Sequence, residues 1–109
     1  MIRVRYTPEK FRILVEGHAG SAEKGRDLVC AGVSTLVLTL AENVARMKKA
    51  GWLEGHAVEI MAGKARVQCL PREEWKGAAE VVFGAVFAGF DLLGKKWPEF
   101  VRVEVVAGG

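Results

Sequence analysis

Between residues 27 and 49 the chain carries an apolar stripe at helical spacing: Val29, Val33, Leu36, Leu40 and Val44. Val37, Leu38, Ala41 and Ala45 widen it until nearly the whole middle of the segment is apolar. A helix of this kind has to be buried on more than one side, by packing on a sheet and by a second helix or a partner chain. Asp27 suits its N-cap or first turn, and Arg46, Lys48 and Lys49 suit the negative end of the helix dipole. Gly51 ends it.

The segments on either side supply the sheet. Residues 2–6 alternate Ile2, Val4 and Tyr6 with Arg3 and Arg5, the pattern of a half-buried strand. Thr7-Pro8-Glu9-Lys10 is a turn, and residues 11–17 alternate again through Phe11, Ile13 and Val15, so the two runs form a hairpin. Residues 56–61 and 64–70 form a second hairpin around Ala62-Gly63. Pro71 begins a second helix, over about residues 72–93, with Trp75, Ala79, Val82, Phe83, Val86, Phe87 and Phe90 on its apolar face. Gly94 and Pro98 close it, and residues 100–105 alternate as a last strand. The order ββ-α-ββ-α-β predicts an α+β fold: one mostly antiparallel sheet with two helices packed on it, a single domain over residues 1–109.

Composition limits the partners. Half of the residues are hydrophobic, enough for a core; a net charge of +3 permits contact with an acidic or ribonucleoprotein surface without arguing for one, and with no lysine–arginine run or aromatic RNA-binding signature no direct contact with nucleic acid is expected. The apolar stretch at residues 36–41 is interrupted by Thr39 and too short to span a membrane, and the first residues are not expected to form a signal peptide. A cytoplasmic location is expected, with Cys30 and Cys69 as reduced thiols. Neither a Cys-x-x-Cys nor a His-x-x-x-His spacing occurs, so no metal and no cofactor are expected.

The chemistry concentrates in residues 17–34. His18 follows a strand, and Cys30 lies about one turn into a helix, where free amide hydrogens and the positive dipole end favour a thiolate. A thiol nucleophile needs a base within hydrogen-bond reach, and histidine is the base that titrates near neutrality. Each residue also has a plain reading: Cys30 as a small core side chain, His18 as an exposed loop residue. Asp27 could orient His18, although its position fits a helix cap better; Ser34, four residues beyond Cys30, shares its face or bonds its own helix. Gly20 and Gly25 would let the intervening loop, residues 19–26, gate a cleft, or are ordinary turn glycines. Cys69, with no histidine at a telling spacing, reads as structural, His56 as solvent-facing, and Trp52, Trp75 and Trp97 as packing or interface residues.

Gly17-His18-Ala19, then Gly25, then Asp27-Leu28-Val29-Cys30-Ala31-Gly32-Val33-Ser34 closely resembles the motif of the ribosomal-processing cysteine protease family, Prp: Gly-His-Ala, a short loop, then Asp-x-Val-Cys-Ala-(Ala or Gly)-Val-Ser. Lys96-Trp97-Pro98-Glu99-Phe100 is similar to the family's C-terminal pattern. The resemblance implies a small α+β homodimer of bacterial cytosol. Such enzymes remove an N-terminal extension from the twenty-seventh large-subunit ribosomal protein, cutting after an aromatic pair. It implies Cys30 as nucleophile and His18 as base, Asp27 and Ser34 as supporting residues, and the loop bearing Gly20 and Gly25 beside the substrate. The alternative is a non-catalytic, dimeric ribosome-associated binding module whose thiol is structural.

Overall fold

A computed structural model describes residues 1–17 and 26–108. The strands are β1 (Ile2–Thr7), β2 (Arg12–Glu16), β3 (Leu53–Met61), β4 (Lys64–Pro71) and β5 (Val101–Val105), and the helices α1 (Arg26–Lys49) and α2 (Lys76–Lys96). They form one five-stranded sheet in the order β3-β4-β2-β1-β5. Every pairing is antiparallel except that of β1 with β5, which is parallel. The expected α+β architecture and element order are therefore present, and the sheet is mixed.

Side-chain alternation divides the sheet into two unlike faces. Ile2, Val4, Tyr6, Ile13, Val15, Ala65, Val67 and Cys69 are buried on one face, in a single core with Val29, Val33, Val37, Leu40 and Val44 of α1 and Phe83, Val86 and Phe90 of α2. Tyr6 packs its ring 4.9 Å from that of Phe87, and Phe11 meets Phe83 edge to face at 6.1 Å. The opposite face carries arginine and glutamate.

The two helices cover each other as well as the sheet. At Gly89 a Cβ would lie only 2.6 Å from Leu36 Cδ2, and at Gly32 one would touch Leu93 at 3.4 Å, so two small residues let α1 and α2 approach closely. By length and composition both helices could cross a membrane, with mean hydropathies of 1.7 and 1.5. On α1 single polar residues break the apolar run, whereas residues 81–90 of α2 hold only apolar side chains and glycine, so the run at residues 36–41 understates both helices. On α1 those residues bond back to their own helix: Thr35 Oγ1 donates to the Ala31 carbonyl at 2.8 Å and Thr39 Oγ1 to that of Thr35 at 2.7 Å. Here the apolar rows face the sheet.

Several boundaries differ from expectation for local reasons. β3 starts at Leu53 rather than residue 56, through a register shift between Leu53 and Gly55. Pro71 ends β4 instead of opening a helix, and a 3-10 turn, Glu73–Trp75, precedes α2. Trp75 accordingly leaves the predicted helix face and stacks on Trp52, with ring centroids 4.3 Å apart and planes 7° from parallel. Asp27 lies in the first turn of α1, consistent with a charge–dipole role.

Candidate active site

Cys30 is the fifth residue of α1 and is a free, half-buried thiol. Its own amide already belongs to the helical ladder, so the unbonded amides of this helix lie upstream of it. The packing of Val29 and Val33, both buried, fixes the roll of the helix and turns Cys30 toward the end of the sheet. There it lines a cavity of about 320 Å³.

Three parts of the chain close that cavity. From α1 come Cys30, Ser34, Val37 and Leu38; from the sheet, Ile2, Val15 and Gly17; from the β3–β4 hairpin, Ile60, Met61, Gly63, Lys64 and Ala65. The wall is mostly aliphatic, with Lys64 as its one cation among the described residues. Such a space takes a bulky apolar side chain next to a thiol.

Of the residues singled out in the sequence, Cys30 and Ser34 meet in this cavity. Asp27 is exposed, one turn before Cys30, and does not line it. His18, Gly20 and Gly25 lie outside the described residues. Gly17, the residue just before His18 in the sequence, does line the cavity.

Gly17 has a specific structural task. Its φ is +103°, and a Cβ there would run into the Met1 carbonyl. Its amide donates to the Gly63 carbonyl at 2.9 Å, tying the strand exit to the turn of the β3–β4 hairpin. Only glycine makes this close approach without strain. The hairpin's contribution to the cavity was not legible in the sequence. Ala62-Gly63 signals a turn, but nothing local says that Ile60 and Lys64 fold toward a cysteine thirty residues upstream.

Cys69 provides a contrast. In the register of β3 and β4 it stands directly opposite His56, so the reading that no histidine approaches it needs correction. Strand pairing supplies that neighbour, which sequence spacing does not show. His56 and Cys69 line a second cavity of about 560 Å³ with Glu80 and Lys76. It is larger than the first, but Cys69 is 3 % exposed, and burial pushes its thiol up from 9.0 to about 11. It stays protonated near neutrality and is therefore a poor nucleophile. Among the described residues no group of acidic, cysteine and histidine side chains is arranged to hold a metal ion.

A family model described as cysteine protease Prp matches residues 1–102. No curated protein matches. Among solved structures, SMU.848 from Streptococcus mutans is 25% identical, with a TM-score of 0.66 over 97% of this chain and 92% of that one. An essential ribosomal processing protease Prp from S. aureus in complex with a substrate peptide is 16% identical, with a TM-score of 0.71 over 96% of this chain and 97% of that one. The same S. aureus protease with a covalently linked product peptide gives 0.68 at 16% identity, over 96% and 97% of the two chains. These last two likenesses are of fold.

Replacing Gly17 by alanine is expected to cost about 1–3 kcal/mol, from backbone strain and the collision with Met1. Urea denaturation measures this, and an unchanged midpoint would rule the steric account out. The shifted Cys69 thiol sets a pH dependence. Below 9.0 it is neutral in both the folded and unfolded chain; between 9.0 and about 11 it ionises only when unfolded. Unfolding then releases a proton, so stability falls as pH rises through that window. Comparing urea midpoints at about pH 8 and about pH 10, in parent and Cys69→Ala, should show a smaller decline in the variant. Equal declines would contradict this.

Proposed function

The chain belongs to the cysteine protease Prp family, and we propose that it removes the N-terminal extension of the twenty-seventh large-subunit ribosomal protein by Cys30–His18 catalysis. The observation that carries this reading is the shared cavity: Cys30 and Gly17, the residue preceding His18, line the same apolar space. A peptide carbonyl presented there would lie beside the Cys30 thiol. The match to a cysteine protease family model over residues 1–102 favours this over a non-catalytic ribosome-binding module.

The chemistry then runs in two halves. His18 takes the proton from the Cys30 thiol, and the thiolate attacks the carbonyl carbon of the scissile bond. The oxyanion that forms is held by unbonded amides before Cys30. The intermediate collapses to a thioester as His18 passes its proton to the departing amine. Water, deprotonated by His18, then attacks the thioester, releasing the new carboxylate and returning the thiol. The aliphatic wall of Val15, Val37, Leu38 and Ile60 suits an aromatic side chain on the acyl side of the cut. Ser34 lines the cavity as a hydrogen-bonding side chain for the peptide, while Asp27 supports the site from outside it, in the first turn of α1. The loop bearing Gly20 and Gly25 would flank the substrate.

The protein is further proposed to work as a cytoplasmic homodimer. Leu28, Leu38, Val81 and Leu92 leave large apolar surfaces exposed on the two helices, as a covering second copy would require. Light scattering at about 10 μM, well above the dissociation constants of stable dimers, should give twice the chain mass; a monomer alone would remove this part of the reading.

The decisive test is cleavage of a peptide spanning the ribosomal extension. Cys30→Ala should abolish turnover, and His18→Ala should lower kcat by about 100-fold or more, the usual scale of general-base loss. Ser34→Ala should weaken turnover less. If Cys30→Ala cleaves at the parent rate, the nucleophile has been misassigned.

A further inference from the structure

The sheet face turned away from the helices gathers Arg3, Arg5, Arg12, Lys64, Arg66 and Arg102. Three carboxylates oppose these six cations, and each is already engaged. Glu104 meets Arg5 at 3.0 Å, Glu59 meets Arg66 at 2.6 Å, and Glu16 lies 3.9 Å from Arg5. Arg3, Arg12 and Arg102 have no ion pair among the described residues.

Two details mark this face as incomplete on its own. Arg3 and Arg102 are direct partners in the parallel β1–β5 register, and like charges side by side destabilise a sheet. Arg12 and Arg66 each bury their Nε without an acceptor among the described residues, and both line a cavity of about 190 Å³ with Lys64, Glu16 and Glu59, so its three cations outnumber its two carboxylates. A buried donor lacking a partner is a standing cost that an incoming anion relieves.

We propose that this face docks the phosphate backbone of double-stranded RNA; no such expectation follows from the sequence, because these cations form no run, and strand pairing is what gathers them. Five of its six cations are guanidinium groups, whose planar fork matches phosphate oxygens. Its apolar side chains are few: Leu14 in the middle, Met61 and Leu70 at the margin. The core of a protein interface is depleted in charge, whereas this face is mostly charged. Nucleic-acid interfaces are polar and strongly positive. Both described helices pack on the other face of the sheet, so neither can enter the major groove of DNA from here, whereas the minor groove of an RNA duplex is wide and shallow enough to lie against a sheet face.

The full-length chain is titrated into a fluorescent RNA duplex of about 20 base pairs, long enough to exceed the roughly 16 spanned by a small double-strand reader, and anisotropy is followed over a range of salt. Binding is expected to weaken steeply with salt. The combined Arg3→Gln, Arg12→Gln and Arg102→Gln variant should bind at least ten-fold more weakly, with a salt slope smaller by about 2 to 3. Lys48→Gln with Lys49→Gln, at the end of α1, should bind as the parent does. The single Arg102→Glu serves if the triple variant melts early by circular dichroism, and should itself weaken binding several-fold. No binding at low salt, or parent-like affinity in the folded triple or single variant, overturns the proposal. So does equal affinity for DNA of the same sequence, vesicles of anionic lipid or polyglutamate. Peptide cleavage is read separately, because none of the three arginines lines the Cys30 cavity.

Discussion

Everything in this molecule hangs on the burial of one helix face. Val29, Val33, Val37, Leu40 and Val44 lie against the buried face of the sheet, each removed almost entirely from water. Each such side chain contributes about 1.5–3 kcal/mol of transfer free energy before entropy is counted. Turning α1 by a single residue would swing this row away, so its roll about its axis is strongly determined. Cys30 adjoins Val29 in sequence, and the valines therefore aim the thiol although they take no part in its chemistry. α2 reinforces the arrangement by closing over α1 at Gly32 and Gly89, where Leu93 and Leu36 occupy the space beside each glycine.

The second constraint is backbone geometry at one strand end. Gly17 couples three distant pieces of chain: the Met1 carbonyl against which it packs, the Gly63 carbonyl to which its amide donates, and the residue that follows it, His18. Through it the position of the β3–β4 turn bears on the direction in which the chain leaves β2. The same hairpin lines the cavity with Ile60, Met61 and Lys64. Cavity shape and chain direction at this cysteine protease's candidate site are therefore set by the same few backbone contacts.

The two cysteines illustrate how environment separates residues of one type. Both are free thiols in a protein with a large apolar content. Cys69 sits under the sheet-facing layer, where burial keeps it neutral to about pH 11. Cys30 is half-buried at a cavity next to the start of a helix. A histidine across the ladder does not make Cys69 reactive, because the reactive form is the charged one and burial disfavours it.

Much was legible in the residues themselves. Alternation located all five strands, and helical spacing located both helices, because periods of 2 and 3.6 are imposed by backbone geometry alone. The motif around His18 and Cys30 pointed to a family because its residues are contiguous on either side of a short loop. What escaped the sequence was whatever depends on residues distant along the chain. The parallel β1–β5 pair, the stacking of Trp75 on Trp52, His56 opposite Cys69 and the hairpin over Cys30 all arise from long-range packing. So does the basic sheet face: Arg3, Arg12, Arg66 and Arg102 never form a run, yet strand pairing gathers them on one surface. Local periodicity decides which elements form, while burial and register decide which side chains meet.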